Sequence, residues 1–376
     1  MDIAYKEEMM RKLDAKVKRM ITLIGEKSPH VAGADGKYDD NAHDWWTSGF
    51  WPGLLWVMYD YTGDEVYKAA AWDWDHKLNL CFEDYPVELH HDVGFQFLPT
   101  AVCKYEWTGD QEALRIGLKA ANFLMGRYNA AGEFIRAWNV EDGVDYRGWA
   151  IIDCLLNIPL LTWATKTTGD PRYQHVAMKH TDTFLKYGIR DDGSSCHVLS
   201  FDPQTGEFIE QIGGQGYSPT SAWSRGNAWA LYGLSLAYRH FGDHKYLTAA
   251  KRVAHHFITA LPDDSIPYWD FRLPTLEGEP RDSSAAAIAA SGLMELAEHL
   301  DEHEKRIYLS AAERMLYALS EHYATWDQPG HEAILIGGTG HKPANSNINV
   351  SLIYGDYYFV EAFAKLNGWK NRIFSF

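Results

Sequence analysis

Four times along the chain a glycine followed by an aspartate interrupts a long helical pattern: Tyr61-Thr62-Gly63-Asp64, Trp107-Thr108-Gly109-Asp110, Thr167-Thr168-Gly169-Asp170 and His240-Phe241-Gly242-Asp243. Glycine adopts the left-handed conformation that ends a helix, and the aspartate after it can cap the next one. Each Gly-Asp therefore predicts the tip of an antiparallel helix pair. The segments ahead of the turns are strongly apolar, as in 49–60 (GFWPGLLWVMYD), 94–106 and 225–239, and 148–166 (GWAIIDCLLNIPLLTWATK) is read the same way, as one apolar helix. The segments after the turns are amphipathic, as in 243–259, which suits helices with one wet face. Two more units follow the pattern: 282–301 with 303–322, and 351–366 with the charged N-terminal helix 2–25 as its partner. An open array of hairpins needs polar caps at its ends, and the last apolar helix is as apolar as the rest, so the six pairs are expected to close on themselves. The predicted fold is all-α, an (α/α)6 barrel formed as a six-hairpin toroid, with one domain over residues 1–376.

In such a ring the long loops 26–48, 128–147, 188–224, 261–281 and 323–350 all lead back to inner helices and gather at their N-terminal ends. Loops on a rigid scaffold carry function, and helix N-termini favour anions. Acidic residues outnumber basic ones 51 to 35, a formal charge of −16, which opposes a nucleic-acid or anionic-membrane partner. No run of about 18 apolar residues suggests a transmembrane span, and MDIAYKEEMMRK has no signal-peptide pattern, so a cytoplasmic location is expected. The four cysteines lack C-x-x-C spacing and point to neither zinc nor disulfides. Aromatic residues reach 14%, enough for a large core and also for a cleft that receives flat-faced ligands such as sugars. No exposed apolar stripe singles out a subunit interface.

The starts of the inner helices concentrate reactive groups. Asp153 lies in Ile151-Ile152-Asp153-Cys154-Leu155-Leu156, where burial would raise its pKa as a general acid requires. A bond to Asn157 or to a neighbouring helix end is the competing reading. Asp92, after His90 and His91, is either a second reactive carboxylate or a helix cap. Two carboxylates facing one pocket are the usual equipment for cleaving glycosidic bonds. Arg225 and His197 are candidate cations near the mouth, with surface salt bridges as the alternative, and Trp46, Trp138, Trp223 and Trp229 are either sugar platforms or core. No H-E-x-x-H, G-x-S-x-G, P-loop or G-x-G-x-x-G pattern occurs, so neither a metal nor a cofactor is expected.

Six motifs in chain order, Trp46-Thr47-Ser48-Gly49-Phe50-Trp51, His90-His91-Asp92-Val93-Gly94-Phe95, Ile151-Ile152-Asp153-Cys154-Leu155-Leu156-Asn157, Trp223-Ser224-Arg225-Gly226-Asn227-Ala228-Trp229, Tyr268-Trp269-Asp270-Phe271 and Arg281-Asp282-Ser283-Ser284-Ala285, resemble the unsaturated glucuronyl hydrolases, family 88 of the glycoside hydrolases. The resemblance implies an (α/α)6 barrel that takes lyase-generated oligosaccharides and hydrates the double bond of their 4,5-unsaturated terminal uronic acid. It further implies Asp153 as general acid and base and Asp92 as the second essential carboxylate. Trp46, His91, Trp138, His197, Gln215, Trp223, Arg225 and Trp229 match positions lining the subsite for the unsaturated sugar. The loop 337–350 varies in that family; its Lys342, Ser346, Asn347 and Asn349 are either contacts for a second sugar or solvated loop groups. Three other readings fit the same scaffold: an unsaturated rhamnogalacturonyl hydrolase, another toroid enzyme such as an epimerase or endo-glycanase, and a noncatalytic carbohydrate-binding toroid.

Overall fold

The computed structural model describes residues 1–83, 89–141 and 143–376, so Asp142 of the expected loop 128–147 lies outside the described residues. In chain order the helices are α1 (Ile3–Ile24), α2 (Phe50–Thr62), α3 (Glu65–Ala71), α4 (Trp74–Leu80), α5 (Val93–Phe97), α6 (Cys103–Thr108), α7 (Gln111–Gly126), α8 (Cys154–Asn157), α9 (Pro159–Thr168), α10 (Pro171–Tyr187), α11 (Ser224–Phe241), α12 (His244–Ala260), α13 (Ser283–Ala297), α14 (Glu302–His322) and α15 (Ile353–Leu366). The four Gly-Asp turns behave as their chemistry dictates. Gly63, Gly109, Gly169 and Gly242 take φ of 73°, 74°, 75° and 70° at helix C-termini. Asp64, Asp110, Asp170 and Asp243 each accept backbone N–H groups from the first turn of the next helix. Thr62, Thr108 and Thr168 add a hydroxyl that accepts the aspartate's own N–H, which tightens the corner.

The apolar member of each pair lies inside and its partner outside. Every residue of α13, and all of α15 as far as Lys365 at its penultimate position, is buried. The inner helices touch in order: α15 with α2, α2 with the turn between α5 and α6, α5 with α8, α8 with α11, α11 with α13, and α13 with α15. The contacts thus return to their starting point. The outer partner α1 packs on α15, α3 on α2, α7 on α5, α10 on α9, α12 on α11 and α14 on α13. Among the described residues no helix is long and apolar enough to cross a membrane.

Two expectations change. The segment 148–166 is not one helix: Trp149–Ile151 is a strand paired antiparallel with Val198–Phe201, the chain turns at Ile152 and Asp153, and α8 begins at Cys154. A short apolar run reads alike for a buried strand and a buried helix, so periodicity could not separate them. Asp153 consequently stands at the helix start rather than within an apolar helix. The second inner helix is likewise interrupted, by a π-helical turn over Leu98–Val102 where Pro99 has no N–H to give the ladder.

The architecture is also helix-rich rather than purely helical. Val31–Ala32, Ser346–Leu352 and Gly338–His341 form one antiparallel sheet, and Trp149–Ile151, Val198–Phe201 and Phe208–Ile212 form another. Phe208 pairs with Phe201, and Leu335 forms an isolated bridge with Ala324. Long loops packed on a ring must pair their backbone polar groups, and these sheets do so. They lead directly into α8 and α15 and so build a rim around the inner helix starts.

Candidate active site

Ahead of α5, His90, His91 and Asp92 leave the loop on the rim, and the His91 N–H donates to Ala137 O at 3.2 Å. Asp92 stands in the N-cap position of α5, yet its side chain caps nothing. Its Oδ1 instead accepts from Asn157 Nδ2 at 2.9 Å. Its Oδ2 lies 3.1 Å from His90 Nδ1 and 3.6 Å from His91 Nε2. The cap reading of Asp92 is therefore replaced by a cross-link between inner helices. His90, His91 and Asp92 are also the described residues that most nearly resemble a ligand set, with their donor atoms within 4.8 Å. Of the three, Asp92 accepts from Asn157, while the buried Nδ1 atoms of His90 and His91 have no hydrogen-bond partner among the described residues.

Asp153 reaches the same point from the other side. Its Oδ1 lies 3.7 Å from His91 Nε2, so the two carboxyl groups flank one imidazole nitrogen. That oxygen is buried and has no hydrogen-bond partner among the described residues. Asn157 contacts only the Asp153 backbone carbonyl, at 3.3 Å, so the side-chain bond to Asn157 expected of a structural aspartate is absent. Asp153 is 16% exposed, against 7% for Asp92 and 1% for His91, and is the most exposed member of the trio.

Electrostatics separates the two acids. Burial, reinforced by repulsion from Asp92, pushes Asp153 well above the usual carboxyl range. Burial also opposes the charge on Asp92, but His91, His90 and the Asn157 hydrogen bond outweigh it and hold Asp92 below that range. Burial lowers His91 and His197 to about 3 and His30 to about 4, leaving all three imidazoles neutral at pH 7. One neutral acid beside one ionised carboxylate is the division that general acid catalysis uses.

All ten residues singled out in the sequence, Asp153 and Asp92 with Trp46, His91, Trp138, His197, Gln215, Trp223, Arg225 and Trp229, line one cavity of about 540 Å³. Trp46 packs on Tyr354 with ring centroids 5.1 Å apart and planes tilted by 35°, and leaves part of its ring open. Trp138 hangs from a hairpin whose carbonyls at Ala137 and Trp138 accept from Arg127 Nη2 at 2.7 and 3.1 Å. Trp229 is buried against Phe95 and Tyr358, at 5.2 and 5.4 Å, and is as much core as wall. His197 Nδ1 accepts from Gln215 N at 2.9 Å, which places its proton on Nε2.

Arg225 differs from a free surface cation. Nη1 donates to Asp282 Oδ2 at 2.8 Å and Thr339 O at 2.6 Å, while Nη2 donates to Gln215 Oε1 and Gly340 O, both at 2.6 Å. Its plane lies 4.6 Å from the Trp223 ring and 5.3 Å from that of Tyr354. It therefore ties α11 to α13 and to the rim hairpin, with its terminal N–H groups engaged.

Residues 17–374 match the family model described as Glycosyl Hydrolase Family 88. The chain belongs to that family. It is 38% identical over 350 residues to an unsaturated glucuronyl hydrolase of Bacillus sp. (strain GL1), covering 93% of each chain. It is 39% identical over 369 residues to an unsaturated chondroitin disaccharide hydrolase of Streptococcus pneumoniae (strain ATCC BAA-255 / R6), covering 95% of this chain and 91% of the relative. The crystal structure of the Bacillus sp. GL1 unsaturated glucuronyl hydrolase superposes with a TM-score of 0.91 at 36% identity, covering 96% of this chain and 97% of that one. The protein is thus a family 88 glycoside hydrolase, and the rim cavity is its candidate active site.

The cavity of this family 88 enzyme also contains residues that the sequence did not single out: His30, Asp44, His341 and Tyr354. They come from the first loop, the last hairpin and the start of α15, which only the closed ring brings together. Of the four polar candidates in loop 337–350, Ser346 and Asn347 line the cavity, whereas Lys342 and Asn349 are not among its lining residues.

Proposed function

We propose that the enzyme is an unsaturated glucuronyl hydrolase, releasing the 4,5-unsaturated uronic acid from the non-reducing end of lyase-generated oligosaccharides, with Asp153 as general acid and base. The observation that carries this reading is the Asp153 carboxyl group, held neutral by burial, partnerless at Oδ1 and open to a cavity walled by aromatic rings. The relatives named above, for unsaturated glucuronyl and unsaturated chondroitin disaccharide hydrolysis, support the substrate class. We further read the closed order of inner helices as an (α/α)6 toroid forming one catalytic domain.

Asp153 gives its proton to C4 of the vinyl ether, and the positive charge develops at C5 and the ring oxygen. Asp92, ionised and close by, stabilises that charge and accepts from sugar hydroxyls. Water then adds at C5, and the Asp153 carboxylate takes its proton, which restores the acid. The product is a hemiketal. It opens to the C5 ketone, and the hemiacetal left at C1 collapses to release the second sugar. Arg225 contributes positive potential and fixes Gln215 Oε1. Gln215 Nε2 makes no hydrogen bond among the described residues and is the donor available to the uronate carboxylate. Trp46 and Trp138 hold the sugar faces.

The conjugated double bond absorbs in the ultraviolet, so the substrate is its own reporter. Loss of absorbance on mixing the protein with unsaturated disaccharides from chondroitin, heparin or pectin lyases is expected for the wild type and not for Asp153→Asn. Consumption only of the unsaturated galacturonyl-rhamnose would replace this reading with the rhamnogalacturonyl one, and binding without consumption would replace it with a noncatalytic toroid.

A further inference from the structure

Asn157 lies at the C-terminal end of α8, fully buried beside the Asp92 carboxyl group. Its side chain accepts once and donates twice, the longer donation going to Asp153 O at 3.3 Å. Oδ1 accepts the Phe95 backbone N–H at 2.7 Å, and Nδ2 donates to Asp92 Oδ1 at 2.9 Å. The first contact decides the second, because a backbone N–H can only donate. The atom facing Phe95 must therefore be the amide oxygen, and the atom facing Asp92 must be the NH2. An NH2 group can only donate, so the Asp92 oxygen it meets must accept, and that bond is stronger to an ionised carboxylate than to the neutral acid. The approach is built in at the backbone: a Cβ on Gly94 would collide with Asn157 Cα, carbonyl and Oδ1, so only glycine lets α5 close onto α8 at this point.

We propose that Asn157 is a positioning residue that decides which of the two buried acids carries the proton: the Phe95 N–H fixes its amide, the amide keeps Asp92 ionised, and the proton is left to Asp153. This rests on the functional reading above. The charged and titratable groups that also act on the pair are His90 and His91 from the same loop, Asp153 and Cys154 at the start of α8, Arg127 after α7, and Arg225 of α11. None of them is tied to a backbone donor in a way that fixes the polarity of its contact with Asp92. Asn157 reaches the chemistry only through Asp92 and the Asp153 carbonyl and is not itself among the residues lining the cavity.

The test is the pH dependence of kcat, read by ultraviolet loss with an unsaturated uronyl disaccharide. Removing a donor to a buried carboxylate raises its pKa, so in Asn157→Ala the acid-side loss of activity is expected to move up by about one pH unit or more. In an Asp92→Asn background, adding Asn157→Ala is expected to cost much less than its effect alone. Asn157→Ser, which keeps a polar group for the Phe95 N–H, carries the same expectation if the alanine variant does not fold. A kcat lowered by one factor at every pH, or additive losses in the double variant, would assign Asn157 a merely structural role and overturn the proposal. Wild-type protein that consumes no unsaturated disaccharide would instead sink the functional reading, before any variant is compared.

Discussion

Two carboxylates buried in the ring, Glu361 and Asp153, are treated in opposite ways. Toward the C-terminal ends of the inner helices, Glu361 of α15 accepts from Tyr232 Oη at 3.1 Å, from Tyr357 Oη at 3.3 Å and from Ser291 Oγ. Lys365, one turn on, lies 3.3 Å from Glu361 and donates to Tyr232 Oη at 2.6 Å and Ser291 Oγ at 2.8 Å. Each oxygen of Glu361 has a donor. At the start of α8, Asp153 Oδ1 has none, and Asp92 repels its charge. Burial of charge therefore does not distinguish the site. Satisfaction does: the closed network holds helices together, and the unmet acid facing a cavity is free for chemistry.

The largest expected effect breaks the open end. Asp153→Asn should lower kcat by roughly 10² to 10⁴ while the fold persists, since a buried group already neutral at pH 7 is replaced by another neutral one. In the wild type, kcat should fall as pH rises through the raised value of Asp153 and the acid loses its proton. It should fall again on acidification as Asp92 becomes protonated. The same shift acts on stability. The folded state keeps a proton on Asp153 that the unfolded chain releases in the ordinary carboxyl range, so stability is present below that range and declines as pH rises toward the raised value. Thermal melts across pH should show that decline in the wild type and less of it in Asp153→Asn.

Breaking the closed end should do the reverse. Lys365→Met leaves Glu361 buried without its cation, at a cost of about 3–5 kcal/mol in stability, while the folded fraction keeps its kcat. Urea melts alongside turnover at a temperature where both proteins are folded would check this. A collapse of kcat with stability intact would show that the two ends are coupled and that the contrast is wrong.

The helical frame was legible because its signals are local. A Gly-Asp corner and an apolar segment beside an amphipathic one can be read without knowing where anything else lies. Asp153 and Asp92 were legible as chemistry through motif resemblance, whereas their relation was not: the imidazole nitrogen between them and the Asn157 bridge join residues about 60 positions apart in sequence. Arg225 shows the same limit. Its sequence context leaves a cation at the mouth and a surface salt bridge equally open, and the partners that bury it, Asp282, Thr339 and Gly340, lie 57 to 115 positions further along the chain. The strand at Trp149–Ile151 was hidden for another reason, since its partner Val198–Phe201, rather than its own periodicity, makes it a strand.

A smaller effect sharpens the aromatic part of the site. Trp46→Ala should raise KM, by about tenfold if the lost stacking is worth about 1.5 kcal/mol, with little change in kcat or melting temperature, because part of the ring faces the cavity rather than the core. A variant that loses stability and leaves KM alone would place Trp46 with Trp229, as packing.

The smallest effect lies at the corners, where the chain turns away from the cavity. Asp110 Oδ1 accepts from both Glu112 N and Ala113 N at 2.9 Å, whereas Asp243 accepts only from Lys245 N, at 3.0 Å. Both are N-caps in repeats of the same design, so the difference in donors should be read directly as stability. Asp110→Ala should cost about 1 kcal/mol and Asp243→Ala less, with kcat unchanged in both. Two equal losses would mean that the second donor adds nothing beyond what water supplies at an exposed corner. A loss of activity at either corner would mean that the helix ends transmit strain along the ring to the rim, which the separate hydrogen bonding of the two ends argues against.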